Sequence, residues 1–94
     1  LWRQNNPRRY LDSRLRSRYG ISLEEYESLL AAQNDVCAIC QGPPNGNGKT
    51  LCVDHDHETG EVRGLLCHRC NTGLAHFNED AATIRRAVDY LAAD

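Results

Sequence analysis

Reading from the amino end, apolar residues first recur every four positions, at Leu11, Leu15 and Tyr19, the spacing of one helix face. Asn6 is placed to cap that helix, with Pro7 at its first position, where a missing N–H costs nothing. Gly20 supplies the stop. A second helix is predicted from Ser22 to near Gln33: Ser22 and Glu25 match a capping box, and Ile21 and Tyr26 are spaced for a hydrophobic staple. Tyr26, Leu29 and Leu30 form its inward stripe. The period then changes. Thr50–His55 and Glu61–Leu65 read as short strands joined through Glu58, Thr59 and Gly60 as a hairpin. Gly42–Lys49, rich in Gly, Pro and Asn, reads as a loop. A third helix is predicted from Asn71. After a break at Asn78–Asp80, a fourth carries Ile84, Val88 and Leu91 on one face.

Composition changes this picture in one respect. Apolar residues make up 40% of the 94, but aromatics only 6%, so a single small domain is short of large core side chains and needs a staple. Its five cysteines indicate which. Cys37, Cys40, Cys67 and Cys70 follow C-x2-C-x26-C-x2-C, two tight turns that each offer a pair of thiolates to one tetrahedral zinc ion. Such a closed site is structural, and metal binding would supply much of the folding free energy. A pair of redox motifs and an iron–sulfur site are the rivals. The odd count and paired spacing disfavour a secreted disulfide framework and point to a reducing compartment, the cytoplasm. Cys52 reads as a small buried hydrophobe. No apolar run nears the ~20 residues a membrane span needs, and the start is not a signal peptide. The absence of Met at position 1 reads as a processed product or fragment.

The order knuckle, hairpin, knuckle, helix predicts a small α+β fold, a zinc-stapled treble clef with flanking helices. Many treble clefs only bind a partner. Here Val53-Asp54-His55-Asp56-His57 ends the first strand, and Asn71 directly follows the last cysteine. Folding the hairpin onto the helix brings Asp54 towards Asn71. Phosphodiester hydrolysis needs a base for water and positive charge at the phosphate and leaving oxygen. Imidazole suits the first task. A hard cation on one carboxylate and one amide, its other positions left to water and phosphate, suits the second. Asp54, His55 and Asn71 supply that set. A non-catalytic nucleic-acid or protein-binding module is the alternative. His68 and His76 are read as non-ligands.

Residues 19–91 resemble the recombination endonuclease VII family of HNH (ββα-metal, His-Me finger) nucleases. The likeness rests on Tyr19-Gly20-Ile21-Ser22, Cys37-Ala38-Ile39-Cys40, Val53-Asp54-His55-Asp56-His57, Arg63-Gly64-Leu65-Leu66-Cys67, Cys70-Asn71 and Asp89-Tyr90-Leu91. It implies a DNA endonuclease leaving 5′-phosphate and 3′-hydroxyl ends. Asp54 and Asn71 would bind catalytic Mg²⁺ or Mn²⁺, His55 would be the general base, and His57 would contact the scissile phosphate. The family's founding phage enzyme resolves Holliday junctions as an intertwined dimer, with long helices after its core. Only the 23 residues 72–94 follow Asn71 here. A nicking or weakly specific monomeric DNase is therefore expected at least as strongly as a helix-swapped junction resolvase.

Charge is unevenly spread. Residues 1–20 hold six Arg (3, 8, 9, 14, 16 and 18) against Asp12, while the remainder carries an excess of acid. Residues 1–35 are thus read as a helical arm, basic over 1–20, and 36–94 as the zinc-bound nuclease core with its C-terminal helix. Arg8, Arg9, Arg14, Arg16 and Arg18 are candidate phosphate contacts. Arg63 is another, with a salt bridge to Glu61 or Asp56 as its plainer role. The partner implied is DNA, with no membrane and no small-molecule cofactor.

Overall fold

Four helices and one hairpin make up the computed structural model, which describes residues 7–45 and 50–93. The order is α1 (Pro7–Tyr19), α2 (Leu23–Ala32), β1 (Cys52–His55), β2 (Val62–Leu66), α3 (His68–His76) and α4 (Ala81–Ala92). This is the small α+β architecture expected. The proposed Asn6 cap lies outside the described residues.

Helix α1 ends at Gly20, whose φ of 73° suits a residue without a Cβ. Leu15 and Tyr19 pack against the core, while Leu11 stays exposed. Two links run from α1 to α2. Asp12 accepts from the backbone N–H of Leu23 at 2.8 Å, satisfying a donor the helix start leaves open, and Arg8 forks onto Glu27 at 2.9 and 3.2 Å. That N–H bond, with Arg16 second, holds the Asp12 carboxyl below the usual range. The Ser22–Glu25 capping box forms in both directions. From α2, Leu29, Leu30 and Tyr26 face the core, and the Tyr26 hydroxyl donates to the Leu51 carbonyl at 2.8 Å.

The hairpin is antiparallel, pairing Cys52 with Leu66, Val53 with Leu65 and Asp54 with Gly64. Its register then shifts, so that His55 faces Val62 and Arg63 is the extra residue. Asp56 organises the turn: its carboxylate accepts from the N–H groups of Glu58 and Thr59, and Gly60 (φ 78°) donates to its carbonyl. The buried core is Leu51, Val53, Leu65 and Leu66 with Cys37 and Cys67. Leu65 is wholly buried, and the Gln33 side chain serves its backbone. Oε1 accepts from Leu65 N–H and Nε2 donates to Leu65 C=O, each at 2.9 Å.

One expectation changes. Helix α3 starts at His68 rather than Asn71, because Cys67 caps it: its Sγ accepts from Cys70 N–H at 3.4 Å. The predicted face of α4 is mostly uncovered, with Val88 59% and Leu91 82% exposed. Asp80 caps α4 through Thr83. Among the described residues no helix is long and apolar enough to cross a membrane.

Candidate metal centre and active site

The sulfur atoms of Cys37, Cys40, Cys67 and Cys70 all lie within 4.8 Å of one another. Cys40 and Cys67 Sγ are 3.7 Å apart. A tetrahedron with metal–sulfur bonds of ~2.3 Å sets its sulfurs about 3.8 Å apart, so the donor set fits one zinc ion. Both turns aim backbone donors at sulfur: Ile39 N–H at Cys37 (3.4 Å), Gly42 N–H at Cys40 (3.3 Å) and Cys70 N–H at Cys67. A Cβ at Gly42 would approach Cys40 Sγ to 3.3 Å, which is why the first turn closes on glycine. Burial pushes the Cys37 thiol up, but backbone hydrogen bonds at Cys67, Cys40 and Ile39 outweigh it and bring it to about 6. Thiolate, the ligand form, is thereby favoured at Cys37, whereas burial and hydrogen bonds with the other three cysteines push the Cys70 thiol up to about 12. Cys52 is half-buried and outside the cluster, and His68 is exposed.

At the far end of β1, Asp54, His55 and His57 lie together with Arg63 and Glu79. His55 is half-buried, its ring 5.8 Å from Tyr19 and 4.9 Å from the ring of His57. His57 is 70% exposed, with Nε2 2.6 Å from Glu79 Oε2. Asp54, whose side chain is 12% exposed, accepts from Arg63 through both oxygens, at 2.8 and 3.0 Å. Arg63 also donates to the His55 carbonyl and to Glu79. Its partners are therefore Asp54 and Glu79 rather than Glu61 or Asp56. The bulge explains this: as the extra residue of β2, Arg63 is released from strict pairing and can swing across Asp54. Asn71 is half-buried in the first turns of α3, its N–H on the Cys67 carbonyl, and α3 packs against both strands. His76 is exposed near the end of α3. An open cleft of about 520 Å³ lies alongside, lined by Asp56, His57, Arg63 and Glu79 among others.

Glu79 was not singled out from the sequence. It follows α3 in a left-handed turn, Asn78 and Glu79 at φ 55° and 54°, held by Glu79 N–H on the Leu74 carbonyl at 2.8 Å. The Arg63 hydrogen bond, ahead of His57, holds its carboxyl below the usual range. The only local signal was a polar break between two helices.

On the basic arm, Arg8 and Arg16 are engaged by Glu27 and Asp12. The Arg14 guanidinium lies over the Tyr10 ring at 5.8 Å.

Residues 12–93 match the family described as recombination endonuclease VII. The chain belongs to that family. Among individual relatives, it is 46% identical over 81 residues to the Gene 59 protein of Mycobacterium phage D29. It is 43% identical over 81 residues to the Gene 59 protein of Mycobacterium phage L5. Each alignment covers 85% of this chain but 48% and 49% of the phage proteins, so the chain spans about half the length of these relatives. Both knuckles, the Asp54–His57 segment, Arg63, Asn71 and Glu79 fall inside the family match.

Proposed function

We propose that this endonuclease VII family chain is a divalent-metal-dependent DNA endonuclease of the HNH type. The observation that carries the reading is the gathering of Asp54, His55 and His57 at one end of a hairpin whose other end is fixed by the sulfur cluster. Asp54 and Asn71 are the residues that would hold Mg²⁺ or Mn²⁺, one offering a carboxylate and the other an amide oxygen. When bound, that ion supplies positive charge to the phosphate and to the departing 3′ oxygen. The fit of Asp54 to a cation is supported by the guanidinium it already grips through both oxygens.

His55 takes a proton from water as the water oxygen attacks phosphorus. The bond from phosphorus to the 3′ oxygen breaks and that oxygen takes a proton from solvent, leaving a 5′-phosphate and a 3′-hydroxyl. Contact with Tyr19 and His57 orients the His55 ring without burying it. His57 would meet the scissile phosphate, a role supported by its exposure beside the cleft. Arg63 offers that phosphate a second positive group.

Supercoiled plasmid incubated with the zinc-loaded protein tests this. Nicked circles are expected with Mg²⁺ or Mn²⁺ and none with EDTA. His55→Ala should slow nicking about a hundredfold or more while zinc content and circular dichroism stay unchanged. DNA binding that survives loss of both Asp54 and His55, with intact plasmid for wild type in every metal, would leave a non-catalytic binding module instead.

A further inference from the structure

Asp54 is the carboxylate assigned to the divalent cation, yet the guanidinium of Arg63 covers both its oxygens at 2.8 and 3.0 Å. Asp54 is mostly shielded from water, so solvent screens a second cation there poorly. A guanidinium and a divalent ion on one carboxylate repel each other steeply at such distances. Arg63 therefore has to loosen its hold whenever a cation takes Asp54. The structure contains a receiver for it. The same Nη2 that touches Asp54 also reaches Glu79 Oε1, and Glu79 Oε2 meets His57. Glu79 is kept at a positive φ that side chains rarely adopt, and such a conformation persists only where the surroundings enforce it. Its effect is to turn a carboxylate from beyond α3 towards the end of the hairpin.

We infer that Glu79 is a positioning residue that receives Arg63 when a divalent cation occupies Asp54, so that guanidinium and metal exchange places instead of competing. The inference rests on the reading that Asp54 binds the cation. Arg63 then keeps its charge beside the cleft, tethered through the carboxylate that also orients His57.

Mn²⁺ alone, titrated into the full zinc-loaded chain and followed by the electron paramagnetic resonance of the free ion, tests this without any turnover. Glu79→Gln is expected to weaken Mn²⁺ binding about tenfold, the scale of coupling between contacting residues. Adding Arg63→Ala to that variant should restore the affinity, because no guanidinium is left to displace. Within the Arg63→Ala background, Glu79→Gln should then change binding less than about twofold. An equal loss in both backgrounds would overturn the inference, since Glu79 would then act on the ion directly or through its charge alone. Glu79→Ala repeats the cycle, with zinc content reporting the fold. Asp54→Asn separates the two proposals: undiminished Mn²⁺ binding in that variant refutes the metal assignment itself, whichever way the Glu79 cycle falls.

Discussion

Gln33 gives β2 the neighbour that a third strand would otherwise supply. Its amide matches both backbone groups of Leu65 and adds a bond to the Val36 carbonyl. The Leu65 carbonyl has a second donor in Ala38 N–H, 3.1 Å away, but its N–H faces Gln33. Gln33→Ala should therefore destabilise the zinc-loaded protein by about 1–3 kcal/mol, the cost of a buried donor left alone. Urea midpoints measure this, and a loss below about 0.5 kcal/mol would mean that water replaces the amide. Neither Gln33 nor Glu79 was legible as a key residue. Each acts on partners distant along the chain, and nothing nearby in sequence marks which side chain will meet them. The cysteines were legible because ligand spacing is itself local: each turn must deliver two sulfurs to one ion.

Among the elements, the capped start of α2 was read correctly and that of α3 was not. The capping box of α2 is complete within four residues, so sequence alone specifies it. The start of α3 was placed three residues late because a cysteine sulfur, better known as a ligand, also accepts a backbone N–H. The apolar face of α4 was visible as a pattern, but periodicity does not say what covers it. The basic stripe of α1 is likewise less uniform than its arginine count. Arg8 and Arg16 are paired with acids, and such surface pairs blunt a charge that would otherwise reach phosphate. Replacing Arg14 and Arg18 together by Gln should lower the slope of log affinity against log salt by about 2, close to one unit per phosphate contact. Arg8→Gln should leave the slope near that of wild type. Fluorescence anisotropy on a labelled duplex between about 50 and 200 mM salt reads both; equal slopes for all variants would place the DNA on another face.

For the whole molecule, five aliphatic side chains and Cys37 and Cys67 are buried among the described residues, too few to hold the chain unaided. The sulfur cluster joins the turn after α2 to the capped first turn of α3, and between them they enclose the hairpin. One zinc per chain is expected by elemental analysis. Stripping it with a chelator at neutral pH should abolish the cooperative thermal transition, since structural zinc contributes roughly 10–16 kcal/mol in comparable small sites. A sharp transition that survives metal removal would show that the apolar contacts suffice. At this scale the sequence anticipated the element order and the staple. It did not anticipate that the Asp54 carboxylate, expected to hold a metal, would be held by an arginine from the neighbouring strand. That contact depends on the skipped position in β2, which splits the hairpin into two stretches of opposite parity. From Gly64 onward β2 is buried on both faces, through Leu65 and Leu66; before Arg63 the pairing restarts on its own count. Residues at the tip can therefore change in length without shifting the pairing of Cys52 with Leu66 or of Val53 with Leu65, so the sulfur-bound half keeps its phase whatever happens beyond His55.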